Sequence, residues 1–253
     1  ITATKTCSQA GANGWCTGAQ TLKLTASDPQ GYTLTISGNI GGTPFTCAAG
    51  KTCNKALPDG NGAITYSVVA SQSGKTASGS TTWKRDATAP VVTPVIPSPT
   101  GANGWFVTSP VSVSVNGSDA MSGLASAQVS VNGGAWQSSV SLSIEGLYSI
   151  SFRAVDNAGN TKSVAGTVSI DQTAPELNFN VSGTSGANGW YVSQAVVTAS
   201  ADDPSLAGGE EPSGVASVLI SDNGGAGQAS PVTLGGGVHN LTITATDNAG
   251  NSK

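Results

Sequence analysis

Tyr148-Ser149-Ile150-Ser151-Phe152-Arg153-Ala154-Val155-Asp156-Asn157-Ala158-Gly159-Asn160 decides the fold. Tyr148, Ile150, Phe152 and Ala154 share one parity, against Ser149, Ser151 and Arg153 on the other. Successive side chains of a strand point to opposite faces, so this pattern puts one face in a core and the other in water. The same alternation runs through Val111, Val113 and Val115, through Val164, Val168 and Ile170, through Leu177, Phe179 and Val181, and through Leu241, Ile243 and Ala245. No helical period competes with it. Asp59-Gly60, Asn116-Gly117, Asn132-Gly133-Gly134 and Asn223-Gly224-Gly225 supply turns between the runs. Short strands between such turns predict an all-β chain of antiparallel sandwiches.

Working outward, the closing Asp-Asn-Ala-Gly-Asn recurs at Asp247–Asn251. Gly-Ala-Asn-Gly-Trp occurs three times, at Gly11–Trp15, Gly101–Trp105 and Gly186–Trp190. Asp-x-Thr-Ala-Pro occurs at Asp86–Pro90 and Asp171–Pro175. Copies spaced by about 85 residues are too long for a solenoid repeat and suit small domains with private cores. The markers predict three tandem domains, 1–90, 91–175 and 176–253. Pro90 and Pro175 cannot donate to a ladder and suit the joints. Asn-Gly in Gly-Ala-Asn-Gly-Trp reads as a turn with glycine at positive φ. Trp15, Trp105 and Trp190 then read as buried caps on each sandwich, with a sugar-stacking platform as the rival reading.

Charged residues make up 9% of the 253 and the net charge is −4, which leaves no basic footprint for nucleic acid. No apolar run reaches the length of a membrane span. The chain opens on Ile1, which reads as a processed or excised product. All four cysteines, Cys7, Cys16, Cys47 and Cys53, lie in the first domain. An even count at short spacing in a Ser/Thr-rich chain favours disulfides, with nearest-neighbour pairing of Cys7 to Cys16 and Cys47 to Cys53, over a zinc site built from the same thiolates. Disulfides imply an extracellular or cell-surface location.

Asn-Gly-Trp-[Phe/Tyr], then Ser122-Gly123-Leu124 or Ser213-Gly214-Val215, then a Gly-Gly hairpin and Asp-Asn-Ala-Gly-Asn, resembles the tandem immunoglobulin-like or fibronectin-III-like repeats of bacterial surface and secreted proteins. The resemblance covers units two and three almost fully and unit one in part. It implies stalks, adhesin rods or spacers, and leaves the ligand open.

Catalysis has little to work with. His239 is the sole histidine, takes the place of Tyr148 of the preceding unit, and reads as packing. No nucleophile elbow, zinc helix or phosphate loop is present. Calcium is the better chemical candidate, with Asp119, Asp156 and Asn160 in unit two and Asp202, Asp203, Asp247 and Asn251 in unit three as oxygen donors. The competing reading makes Asp-Asn-Ala-Gly-Asn a turn held by Asx hydrogen bonds alone. Glu210 and Glu211 add carboxylates beside Asp202 and Asp203, the one place where an acidic pocket would revive an enzyme. Trp136 is replaced by Gly227 in unit three and is the tryptophan suited to a unit-specific ligand such as a glycan. Asn116, Asn180 and Asn240 head glycosylation sequons.

Aligned on the markers, the third unit stops at Lys253, one strand short of the second. That leaves a fragment of a longer array, a domain stabilised in another way, or a groove filled by a neighbouring molecule's strand, with Ile1–Thr6 as the donor. The function expected from sequence is a non-enzymatic rod, stalk or filament segment whose partners are copies of itself end to end or other surface components. The alternative is a glycan- or protein-binding adhesin module beside a secreted enzyme or adhesin.

Overall fold

The computed structural model describes residues 1–253, and nearly every ordered element is a strand. The chain divides into two compact units, one made of Ile1–Pro94, Val115–Gln128 and Phe152–Val164, the other of Val95–Ser114, Val129–Ser151 and Ala165–Lys253.

The first seven strands are β1 (Thr2–Cys7), β2 (Gln20–Thr25), β3 (Leu34–Ile40), β4 (Thr43–Thr46), β5 (Thr52–Leu57), β6 (Gly60–Ala70) and β7 (Thr76–Arg85). They form two sheets, β1-β2-β5 and β4-β3-β6-β7. Leu22, Leu24, Ile36 and Ile64 are fully buried between them, joined by Cys53, Leu57, Val68 and Trp83. β2 shows why: its buried residues Gln20, Leu22 and Leu24 alternate with less buried neighbours along the pleat. Disulfides join Cys7 to Cys16 and Cys47 to Cys53, and no cysteine is free.

The next six strands are β8 (Val91–Val95), β9 (Val111–Ser118), β10 (Leu124–Val131), β11 (Ser139–Leu142), β12 (Gly146–Asp156) and β13 (Thr161–Ile170). Their sheets are β11-β9-β8 and β10-β12-β13. The last six are β14 (Glu176–Ser182), β15 (Ala195–Asp202), β16 (Val215–Asp222), β17 (Gln228–Ala229), β18 (Val232–Leu234) and β19 (Leu241–Asp247). They pair as β14-β15-β18 and β17-β16-β19 around Val197 and Ile220, with Ala195, Val232 and Leu234. The fold is therefore the all-β, immunoglobulin-like sandwich that the alternation predicts.

Two local readings need correction. Phe179 shares the parity of Leu177 and Val181 but is 63% exposed, because β14 is an edge strand paired only with β15. Trp190 was expected as a buried cap and is 56% exposed, whereas Trp15 is 8% exposed and Trp105 half-buried.

The Asn-Gly turns follow one rule. In Val131–Gly134 the Gly134 N–H donates to the Val131 carbonyl at 2.8 Å, with φ of 49° at Asn132 and 72° at Gly133. Two successive positive φ values define the mirror-image turn that suits the twist of a hairpin.

Candidate functional site

Gly-Ala-Asn-Gly-Trp builds the same kind of turn, and in the first two copies it does more than turn. The Trp15 N–H donates to the Ala12 carbonyl at 2.9 Å, with positive φ at both Asn13 and Gly14. That turn presents the Ala12 N–H and the Asn13 amide outward. Ala12 donates to the Ala158 carbonyl at 2.7 Å, and Asn13 Nδ2 donates to the Asn157 carbonyl at 2.9 Å. In the other unit Ala102 donates to Ala249 at 2.6 Å, and Asn103 Nδ2 to Asn248 at 2.8 Å. Gly-Ala-Asn-Gly-Trp of one repeat therefore docks onto Asp-Asn-Ala-Gly-Asn of the next. Sequence reasoning missed this; the signal was that both markers recur unchanged.

Beneath each dock lie three carboxylates. Asp86, Asp119 and Asp156 form one group, with one oxygen of each within 4.8 Å of the others, and Asp171, Asp203 and Asp247 repeat it. Asp86 and Asp171 are completely buried, and Asp156 and Asp247 almost so. Each follows from its place in the chain. Asp86 and Asp171 directly follow β7 and β13, Asp119 and Asp203 directly follow β9 and β15, and Asp156 and Asp247 end β12 and β19.

The hydrogen bonds are copied from one group to the other. Asp86 accepts the N–H groups of Thr88 and Ser122, both at 3.0 Å. Asp171 accepts those of Thr173 at 3.2 Å and Ser213 at 3.0 Å. Asp156 Oδ1 accepts from Gly159 at 2.7 Å and Asn160 at 2.9 Å, and Asp247 Oδ1 from Gly250 at 2.6 Å and Asn251 at 2.8 Å. The side chains of Asn160 and Asn251 reach back to the carbonyls of Asp86 and Asp171 at 3.0 Å. Asp119 Oδ1 takes the N–H groups of Met121 and Gly123, and Asp203 Oδ2 takes that of Gly214 at 2.6 Å. The Asx-turn reading of Asp-Asn-Ala-Gly-Asn and the acidic cluster are thus both present in one loop.

No basic side chain is paired with either group. The salt bridges of the molecule are Arg85 to Asp59 and His239 to Asp222, and neither touches a triad. Burial raises the Asp203 carboxyl above the usual carboxylate range; the Gly214 N–H pulls the other way, and the charges of Asp171 and Asp247 raise it further. Asp203 Oδ1 is buried with no hydrogen-bond partner. A buried oxygen left unpaired in an acidic cluster fits a hard cation, which binds several oxygens at once.

The residues expected from sequence fall as follows. Asp119, Asp156, Asp203 and Asp247 belong to the triads, and Asn160 and Asn251 brace them through their amide nitrogens. Asp202 is exposed at the end of β15 and lies outside the group. Asp86 and Asp171, read from sequence only as joint markers, complete it. Glu210 leaves the expected acidic pocket: its Oε2 accepts the Leu147 N–H at 2.6 Å, and its charge, after burial, raises the Tyr148 hydroxyl. Glu211 makes no comparable contact with the triad. His239 is not apolar packing; its Nδ1 lies 2.6 Å from Asp222 Oδ2. Trp136 is half-buried in the turn region after β10, and Asn116, Asn180 and Asn240 are exposed. Ile1–Thr6, expected as a donor strand, is engaged at home: Thr2–Cys7 pairs residue by residue with Gln20–Thr25.

No protein-family model matches the chain, and no curated protein does. Among solved structures it is similar to the fibronectin(III)-like modules of Clostridium thermocellum CbhA, at 17% identity over 67% of this chain and 93% of that one, with a TM-score of 0.30. It is similar to a 1.5-MDa bacterial ice-binding adhesin, described for host cell surface retention, at 16% identity over 94% of this chain and 88% of that one, TM-score 0.32. A tetra-tandem repeat from the extending region of a large adhesion protein matches at 16% identity over 99% of this chain and 71% of that one, TM-score 0.30. These three solved structures are of fibronectin-III-like modules and of adhesins.

Proposed function

We propose that this chain is a non-enzymatic, extracellular spacer, a run of three immunoglobulin-like domains (1–90, 91–175 and 176–253) whose joints are stiffened by calcium. The observation that carries the reading is the duplicated joint: three carboxylates gathered under a docked turn, twice, with no basic side chain paired to either group. Nothing in a single sandwich requires this arrangement. Its residues come from the segments that flank each joint, and its effect is to fix those segments to one another.

Three like charges at such separations repel, and burial costs each of them hydration, so the joint on its own is electrostatically loaded against closure. Asp86, Asp119 and Asp156, or Asp171, Asp203 and Asp247, would hold the cation, which supplies the missing positive charge. Calcium suits an all-oxygen donor set, whereas zinc favours the nitrogen and sulfur ligands these groups lack. Extracellular calcium is plentiful enough for weak modules of this sort, whose dissociation constants run to about 10⁻⁴–10⁻³ M. The two disulfides support export, since such bonds persist in oxidising compartments. No helix is long and apolar enough to cross a membrane.

Calorimetric melts in calcium and in chelator test the reading. Calcium at about 100 times its dissociation constant should stabilise the fold by about 2.7 kcal/mol for each site it fills. Superimposable melts would rule the cation out. Limited proteolysis at 87–90 and 172–175 should slow when calcium is added, if the joints are what it stiffens.

A further inference from the structure

Asp203 reaches the second triad by a longer route than Asp119 takes to the first. Asp119 is fixed by its own neighbours: its Oδ1 accepts the N–H groups of Met121 at 3.0 Å and Gly123 at 2.8 Å. Asp203 makes no such bond inside the insertion that follows it. Its partners lie on the far side, the Gly214 N–H at 2.6 Å and the Ser213 hydroxyl at 3.3 Å, and its Oδ1 has none. A longer loop has more ways to close, so the place of its first residue depends on what pins the rest.

The insertion, 204–212, is pinned at Glu210. Pro204 and Pro212 bracket it with fixed φ. Inside, the Leu206 N–H donates to the Glu210 carbonyl at 2.9 Å, the Gly209 N–H donates to the Leu206 carbonyl at 3.0 Å, and Leu206 itself is buried. Glu210 Oε2 then accepts the Leu147 N–H at 2.6 Å. A Cβ on Gly146 would lie 3.0 Å from the same oxygen, so glycine there gives the carboxylate its approach. Leu147 belongs to a turn that already serves the triad. Two residues earlier, Glu145 accepts the Gln172 N–H at 3.0 Å and the Thr173 hydroxyl at 2.9 Å, directly after Asp171. In the first joint Asp59 does the same for the Ala87 N–H at 3.1 Å, directly after Asp86, and with no insertion there is no counterpart of Glu210.

We propose that Glu210 is the positioning residue of the second triad: by holding the Leu147 N–H it ties the insertion to the turn at 145–147 and so places Asp203 beside Asp171 and Asp247. One support then carries the segments of two triad carboxylates, Asp171 through Glu145 and Asp203 through Glu210. The first triad needs no such residue, because Asp119 is fixed locally. The placement of Asp203 stands on geometry alone; its effect on calcium rests on the cation reading and deepens it at this one site. Glu210 touches none of the three carboxylates and acts only through the loop.

The test follows amide exchange and calcium titrations by NMR in the intact 253-residue chain. In chelator, Glu210→Ala should speed exchange of the Leu147 and Gly214 amides about tenfold or more, since one loses its acceptor and the other its fixed carboxylate. In calcium, the Gly250 and Asn251 amides, which bond Asp247, should report an affinity about tenfold weaker or more, the usual loss when a group that orients a metal ligand is removed. Gly159 and Asn160 report the first triad and should titrate as in the native chain. Glu210→Gln removes the charge but keeps an oxygen for Leu147, and should match the native chain in both measurements. Glu211→Ala removes a charge from the exposed neighbour and should do the same. Unchanged Gly214 exchange in Glu210→Ala, equal loss at both triads, or a Glu210→Gln chain as impaired as Glu210→Ala would overturn the proposal. A native chain that ignores calcium sinks the cation reading instead, and exchange in chelator still decides whether Glu210 places Asp203.

Discussion

The Ala12 N–H meets the Ala158 carbonyl oxygen at 2.7 Å, and the residue beside it, Gly11, has room for nothing larger. A Cβ on Gly11 would lie 2.4 Å from that oxygen, and one on Gly101 would lie 2.4 Å from the carbonyl of Ala249. Both contacts are backbone, so no side chain can rotate away to make space. Gly11→Ala or Gly101→Ala should therefore force the dock open and destabilise its joint by about 1–3 kcal/mol. Amide exchange at Ala12 or Ala102 should speed up in the corresponding variant. Gly186 has no carbonyl of a docked loop against it, its nearest neighbour being the end of the Val192 side chain, so Gly186→Ala is the control and should cost less. Equal costs at all three glycines would show that the close approach is not what the residue serves.

Asp203 provides the pH signature of the second joint. Its carboxyl is raised, chiefly by burial, so the folded chain holds its proton more tightly than the unfolded chain does. Without metal, this group's stability contribution is greatest below the ordinary carboxylate value of about 4 and declines as pH rises through the raised native value. Calcium binds the ionised form, so in its presence the trend should invert, with stabilisation lost as pH falls. Asp203→Asn should abolish the calcium response of the third sandwich, and in chelator it should leave its melting temperature unchanged or higher. A chelator-only melt that drops in Asp203→Asn would mean the carboxylate is a structural acceptor and not a cation ligand.

Strand parity and turn chemistry were legible because each is written in neighbouring residues. The triads were half legible. Asp119 sits three residues before Ser122, whereas an insertion puts Asp203 ten residues before Ser213, and the loop closes that gap only in three dimensions. The choice between Asp202 and Asp203 turns on a single position at a strand end, where alternation alone gives no answer: Asp202 completes β15 and faces water, and Asp203 turns into the joint. Asp86 and Asp171 were hidden by their own motif, since Asp-x-Thr-Ala-Pro already accounted for itself as a linker. The burial of Trp190 failed for a different reason. Its local sequence matches those of Trp15 and Trp105, but the residues after those two, Cys16 and Phe106, are bridged to Arg85 and Ile170, whereas Tyr191 is bridged only to Ser185.

His239 should give a second pH dependence, of the same sign as that of metal-free Asp203 but in a higher pH window. The hydrogen bond to Asp222 raises its pKa, with burial opposing and the Gly235 carbonyl adding to the rise. Only the imidazolium can donate from both ring nitrogens, to Asp222 at 2.6 Å and to Gly235 at 3.2 Å. The stabilisation is complete below the ordinary histidine value of about 6.5 and fades as pH climbs through the raised native value. Melts at about pH 5.5 and pH 8.5 should differ in the native chain and converge in His239→Phe, with the imidazole titration followed directly by NMR. An NMR pKa at or below the ordinary value would remove the ion pair from the account.

Joint polarity bears on self-association. Docking takes Gly-Ala-Asn-Gly-Trp from one repeat and Asp-Asn-Ala-Gly-Asn from the following one, and both copies of the second motif are already engaged, at Ala158 and Ala249. The corresponding loop of the first sandwich, Ser71-Gln72-Ser73-Gly74, carries no carboxylate and belongs to neither triad. A second copy therefore has nothing with which to receive Gly186–Trp190, and its Thr2–Cys7 strand would have to leave six register pairs with β2 before it could pair with another copy. Head-to-tail polymerisation by this chain alone should not occur. Light scattering at rising concentration, with and without calcium, should return the 24.8 kDa monomer throughout. Growth of the mass with concentration would show instead that copies trade strands and that β1 is less firmly held than its ladder implies.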